Sequence, residues 1–289
     1  MALGSSELIL NADGSIYHLN LLPADIATTI ITVGDPNRVQ EVSKHFDSIT
    51  VKKGKREFHT HTGILKGKRL TVISTGIGTD NIDIVLNELD ALVNIDFGTR
   101  KIKADFTQLE IVRVGTSGAI QPSIEVDSFL GSAYALGFEG LLHFYEHSLE
   151  PHDKFIKAFV AHTGWDERKA LPYLVRCDEN LQGRMNSNRI RFGTTGTNSG
   201  FYGPQGRNLR LHAQDSNFNE KLASFEFEAH QITNLEMETA GIYALSRLLG
   251  HRAISLNCIL ANRSTGAFSE SPQKAVSELI EYVLERLVE

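Results

Sequence analysis

Four stretches of the chain carry groups able to act on a small anion and a ring. Arg38 follows Gly34 by one turn in Val33-Gly34-Asp35-Pro36-Asn37-Arg38, Arg113 interrupts the aliphatic run Ile111-Val112-Arg113-Val114, and Thr116 adds a hydroxyl just after Gly115. Guanidinium groups grip tetrahedral dianions in a fork, and helix amino termini add free N–H donors. Taken alone, Arg38 reads equally as a solvated helix residue. Arg113 does not, because a cation among aliphatics needs a partner or a ligand. Asn234-Leu235-Glu236-Met237-Glu238 sets two carboxylates two residues apart at a helix entrance, where the helix dipole favours negative charge. That pattern also suits ordinary helix charging. Phe201-Tyr202-Gly203-Pro204-Gln205-Gly206-Arg207 puts a ring, an amide and a guanidinium in one turn-rich loop. Such a trio can stack on and hydrogen-bond a planar heterocycle, or it can be a plain surface loop.

The elements that must position these groups alternate between short β-rich runs and helical periods, the signature of a layered α/β fold. Residues 30–33 and 70–75 read as strands ending near Gly34 and Gly76, and 111–114 as a strand ending in the small residues Gly115 to Gly118. Open α/β sheets bind ligands at such carboxyl ends. Asp35-Pro36 reads as a helix cap, with Val39, Val42 and Phe46 on the buried face; Ile82, Val85, Leu86, Leu89 and Leu92 mark a second amphipathic helix. Further helices are expected at 152–162, 217–229, 238–249 and 271–288, and strands at 190–195 and 252–260. Residues 94–110 lack either period and read as a surface excursion. No linker or repeat divides the chain, so residues 1–289 are expected to form a single domain.

Other chemistries find less support. Gly76-Ile77-Gly78 begins a dinucleotide fingerprint, but Asn81 stands where its third glycine belongs, which weakens a nicotinamide-dependent oxidoreductase. His59 and His61 alternate on a strand without a third metal ligand, so no metal is expected, and no nucleophile elbow occurs. The 289 residues are 41% hydrophobic and 22% charged with a formal net charge of −6, which excludes disorder and a whole-molecule basic field for nucleic acid or membranes. With two cysteines, no long apolar run and no signal peptide, a cytoplasmic protein is expected.

The ordered set VGDPNR at 33–38, KREF at 55–58, STGIG at 74–78, RVGTSGAIQP at 113–122, FYGPQGR at 201–207 and NLEMETA at 234–240 resembles the nucleoside phosphorylase-I family across nearly the whole chain. The loop carrying Gln205 and Arg207 resembles the family's uridine-cleaving branch. Leu260-Ala261-Asn262-Arg263-Ser264 stands where purine-cleaving members carry a catalytic aspartate.

The resemblance implies a three-layer α/β/α sandwich around a mixed, partly barrel-like sheet. It implies reversible phosphorolysis of uridine by a pentosyltransferase, with inorganic phosphate as co-substrate and no cofactor. Gly34, Arg38, Arg56, Arg113 and Thr116 would bind phosphate. His18, Thr116, Met237 and Glu238 would hold ribose, while Ser117, Gly118, Phe201, Gln205, Arg207 and Glu236 would surround the base. A homo-oligomer is implied, a dimer or a trimer of dimers, with His18 and Arg56 crossing the interface. A purine phosphorylase or nucleosidase of the same fold and a non-catalytic nucleoside-binding protein are the competing readings. Gly203-Pro204 reverses the order common in bacterial members, Ser117 replaces a usual threonine, and 94–110 resembles an insertion. The family's monovalent-cation site falls near Asn81, which leaves cation binding open.

Overall fold

Strand β1 (Thr29–Val33) is buried at all five positions, as expected of a strand covered on both faces. It belongs to a computed structural model that describes residues 2–149 and 152–289. Asp35 caps helix α1 (Pro36–Ser43), its carboxylate accepting from the Asn37 N–H at 2.9 Å. The antiparallel strands β2 (Ser48–Lys55), β3 (Phe58–Leu65) and β4 (Lys68–Ser74) follow. Gly78 is the residue before α2 (Thr79–Asn94), with φ of 96°, a backbone that glycine adopts without a Cβ penalty. All five stripe positions of α2 are fully buried. Each contributes about 1.5–3 kcal/mol of hydrophobic stabilisation.

The excursion at 94–110 contains a small hairpin, β5 (Ile95–Asp96) with β6 (Lys101–Ile102), tied to the amino-terminal segment through the Arg100 side chain on the Leu3, Gly4 and Leu8 carbonyls. Strand β7 (Glu110–Ala119) is longer than expected. Gly115 to Gly118 continue it, because β13 and β12 hydrogen-bond that stretch on either side.

The remaining strands are β8 (Phe129–Gly137), β9 (Tyr173–Arg176), β10 (Ile190–Thr197), β11 (Glu226–Phe227), β12 (His230–Glu236), β13 (Arg252–Asn262) and β14 (Ala267–Phe268). The helices between and after them are α3 (Asp153–Thr163), α4 (Glu179–Met185), α5 (Phe218–Ser224), α6 (Thr239–Leu248) and α7 (Pro272–Val288). The helix expected over 217–229 therefore stops at Ser224. Phe225 is extended and buried, and the chain turns into the β11–β12 hairpin. Likewise α1 ends at Ser43, and Phe46 reaches the core from the turn beyond it.

Apart from the β5–β6 hairpin, the strands form one mixed sheet in the order β11-β12-β10-β8-β13-β7-β1-β4-β3-β2, with β9 beside β8 and β14 beside β13, flanked by helices. β12 also pairs with β7 at Asn234↔Ala119 and Leu235↔Gly118, which curls the β12-β10-β8-β13-β7 half of the sheet back on itself in the partly barrel-like form expected. Helix α6 is buried from Thr239 through Ser246. No described helix is long and apolar enough to cross a membrane.

Candidate active site

Register alignment brings the buried polar residues of β7 and β13 side by side, Arg113 beside Ser255 and Gly115 beside Asn257. The Arg113 guanidinium donates through Nη2 to Glu238 Oε2 at 2.7 Å and lies 3.2 Å from Glu236 Oε2. Through Nη1 it donates to Asn257 Oδ1 at 2.8 Å and Ser255 Oγ at 3.3 Å. Burial disfavours the Arg113 cation, but Glu236 and Glu238 outweigh that and raise its pKa. For Glu238 burial dominates, and its carboxyl is pushed above the ordinary range against the pull of Arg113.

The two carboxylates are fixed differently. Glu236 accepts from the Glu238 and Thr239 N–H groups at 2.9 Å each and from Thr197 Oγ1 at 2.6 Å, so it caps α6. Glu238 accepts from the Gly78 N–H at 2.9 Å, at the amino terminus of α2. That contact takes up an N–H that a dinucleotide pyrophosphate would need, which counts against the oxidoreductase reading. Met237 is half-buried between the two.

Arg38 is half-buried on α1, and burial first, then the nearby Arg113 cation, holds its pKa below the usual arginine range. Gly34 lies beside it, where an added Cβ would have only the Gly76 carbonyl within 4 Å, at 3.5 Å. Thr116 is half-buried on β7. Two cations with a glycine-lined space form a receptacle for an oxyanion.

Further along β7, Ser117 accepts from Asn234 Nδ2 at 2.9 Å, and an added Cβ on Gly118 would lie 3.9 Å from the Arg263 stem. Arg263 donates to the Gln205 carbonyl, which also accepts from Asn219 at 3.0 Å. Gln205 is 3% exposed. Arg207 donates to Gln205 Oε1 and to the Phe201 carbonyl, both at 2.7 Å, and its guanidinium sits 3.8 Å from the centre of the Phe201 ring. Because arginine can only donate, this contact orients the Gln205 amide. Burial lowers the pKa of Arg207, and burial with the Arg207 charge lowers that of Arg263 to about 10. Two under-solvated cations thus face the loop, an arrangement that favours negative charge on whatever the loop holds.

His18 and Arg56 stand apart. His18 Nδ1 lies 2.6 Å from Glu88 on α2, and Glu88 also accepts from the His18 and Leu19 N–H groups. Arg56 occupies the two-residue β2–β3 turn at φ 56°. No hydrogen bond among the described residues joins either to the Arg113 group.

His61 bonds Ser43 Oγ at 2.7 Å, and no group of three or more potential metal ligands occurs among the described residues. Asn81 packs at Gly76, where its amide would obstruct a Cβ.

A family model described as the phosphorylase superfamily matches residues 28–289. The chain belongs to the phosphorylase superfamily. This phosphorylase is 31% identical over 270 residues to a protein of Thermococcus kodakarensis named uridine phosphorylase, covering 93% of this chain and 86% of the relative. It is 25% identical to a Bacillus cereus protein named purine nucleoside phosphorylase DeoD-type, over 94% and 98% of the two chains. A solved structure of a Trypanosoma brucei nucleoside phosphorylase, described as showing uridine phosphorylase activity, superposes with a TM-score of 0.88 at 30% identity, over 97% and 99% of the chains.

Four of this phosphorylase's site residues escaped the sequence reading: Ser255, Asn257, Arg263 and the Gly78 backbone. Asn257 in Leu256-Asn257-Cys258-Ile259 carried the same signal as Arg113, a polar residue in an aliphatic strand.

Proposed function

We propose that this phosphorylase cleaves uridine with inorganic phosphate, giving uracil and ribose 1-phosphate, and that residues 1–289 act as one domain. The observation that carries the reading is the locked pair of Gln205 and Arg207, tied through Arg263 to Ala119 at the end of β7, the strand that also carries Arg113. A neutral amide can accept from the uracil N3–H and donate to O2. Cytosine offers an acceptor at N3, and the mismatch costs about 1–3 kcal/mol.

Phosphate is held by Gly34, Arg38, Arg113 and Thr116, with Arg56 entering from a second copy of the chain. Glu238, supported by Met237, receives the ribose hydroxyls, and His18 of the second copy reaches the 5′-hydroxyl. Glu236, Ser117, Gly118 and Phe201 complete the base environment. A phosphate oxygen attacks C1′ as the C1′–N1 bond breaks, through an oxocarbenium-like state, and the bonding pair leaves on uracil. Arg207 and Arg263 oppose that growing charge, so they stabilise the transition state more than neutral uridine. No protein nucleophile takes part.

The purine alternative lacks its acid here. Asn262 donates to the Gln121 and Ile124 carbonyls at 2.9 and 2.7 Å and is committed to the backbone. Cys177 and Cys258 are free, buried thiols, in keeping with work in the cytoplasm.

The test is the ultraviolet absorbance change of uridine with and without phosphate, beside inosine. Phosphate-dependent loss of uridine alone supports the reading. Cleavage of inosine moves the enzyme to the purine branch, and silence on both leaves a binding protein.

A further inference from the structure

The excursion at 94–110 has no part in the uridine site, yet it helps to wall a cavity of about 330 Å3 at the other end of the sheet. Gln108 contributes one side. Phe106 stacks on His251, ring centres 5.8 Å apart, and Gln108 Nε2 donates to the Gly250 carbonyl at 2.8 Å. Arg176 ending β9, Arg247 late in α6 and Arg252 opening β13 supply three guanidinium groups. Asn257 lies five steps along β13 from Arg252, about 17 Å of strand. Tyr243, which lines the cavity, partitions it from the Arg113 cluster, its hydroxyl accepting from the Ser255 N–H at 2.8 Å.

Its polar groups are short of acceptors. Arg176 Nε and Ser246 Oγ are buried with no hydrogen-bond partner among the described residues, and both residues line the cavity. His251 Nδ1 accepts from the Leu109 N–H at 3.2 Å, so Nε2 carries the proton; it lies 3.2 Å from Asp90 without hydrogen-bond alignment. An unmatched buried donor costs about 1–3 kcal/mol, which an incoming acceptor would recover.

Three carboxylates oppose the guanidinium groups, and one of them, Asp178, lines the cavity itself. Glu179 takes Arg176 Nη1 at 2.5 Å. Asp178 caps α4 by accepting from the Leu181 N–H, and it lies 3.9 Å from Arg252; Glu110 lies equally far from Arg252 and is already engaged by Arg184. The carboxyl end of α6 would repel an anion, but its Leu245, Ser246 and Arg247 carbonyls are capped by the Leu249, His251 and Gly250 N–H groups.

We propose that this cavity is a second anion site, built for the phosphate dianion of a small molecule, with Gln108 of the 94–110 excursion forming one wall. The shared chemistry is a tetrahedral oxyanion meeting Arg176, Arg247, Arg252 and Ser246. Two sources can supply it, inorganic phosphate and a sugar phosphate monoester.

Equilibrium dialysis of the full chain against labelled inorganic phosphate, and separately against ribose 5-phosphate, tests this. The wild type should bind two oxyanions per chain. Arg247→Ala/Arg252→Ala should bind one, or the second at least tenfold more weakly, with uridine turnover within twofold of wild type. Arg113→Ala should keep the second site and lose the first, so failure of the uridine-site reading is distinguishable. Hydrogen exchange across 94–110 should slow with either oxyanion in the wild type and in Arg113→Ala. Arg247 is exposed, so Arg247→Ala alone provides a variant with an intact fold, and it should weaken the second site severalfold. Tighter binding of ribose 5-phosphate assigns the sugar phosphate, and tighter binding of orthophosphate the free ion. One oxyanion per wild-type chain, or a second unaffected by the arginine substitutions, overturns the proposal.

Discussion

Gly115 and Arg113 share one space: a Cβ on Gly115 would fall inside the Arg113 guanidinium. Residues two apart on a strand point the same way, so the glycine is what lets the long side chain fold along β7 toward Glu238 and Asn257. Gly115→Ala should push the guanidinium off its partners. Turnover of uridine should fall by about a hundredfold or more, since misplacing a charged group by about 1 Å costs that much. Thermal unfolding should show a loss of about 1–3 kcal/mol from overpacking. Unchanged turnover would show that Arg113 does not need this placement.

Arg207→Ala should lower kcat on uridine by about 10²–10³, the cost of removing one donor that meets developing charge. Phosphate affinity should stay within a few-fold, because Arg207 bonds only within its own loop. Steady-state kinetics with phosphate and uridine varied in turn separates the two effects. A matching loss of phosphate affinity would place Arg207 at the anion instead.

Arg56 holds a left-handed backbone that a glycine adopts at no steric cost. Arg56→Gly should therefore keep or raise stability, by up to about 1 kcal/mol, while turnover drops for want of the guanidinium. Denaturant unfolding and kinetics on one preparation report both. A variant that is less stable and fully active would mean that the side chain serves the fold.

Glu139 supplies a pH test. Burial raises its carboxyl pKa, although Tyr173 donates a hydrogen bond to it, and its Oε2 has no partner among the described residues. A raised folded pKa means that its contribution to stability is fully present below the unfolded value near 4.5 and is lost as pH climbs through the folded value. Glu139→Gln should match the wild type in Tm at pH 4 and exceed it by roughly 2–4 °C at pH 7. Equal melting at both values would show the carboxylate to be adequately solvated.

The sequence disclosed the site better than the path of the chain around it. Arg113 announced itself as a cation among aliphatics, and Asp35-Pro36 and Gly250 bracketed their helices by local chemistry. Gly115 to Gly118 looked like the end of a strand because small residues weaken local strand propensity, but pairing from β12 and β13 overrides it. Strands β8, β9 and β12 were missed for the same reason, because they pair with distant segments, whereas the local hairpin after Ser224 turns through Glu228-Ala229, which carries none of the usual turn residues. Arg263 was read only as part of the Leu260–Ser264 stretch that stands where an aspartate would be. Its contact with the Gln205 carbonyl bridges 58 residues of sequence, and no local pattern encodes that.

Burial first, and then the Arg113 cation, hold the Arg38 guanidinium below the usual arginine range, so the folded chain carries an electrostatic load there that an oxyanion relieves. The medium then becomes part of the fold. At a phosphate concentration one hundred times the dissociation constant, mass action adds about 2.7 kcal/mol to the native state. A preparation kept in phosphate buffer and one kept in an amine buffer are, in their resistance to heat and proteases, two different materials.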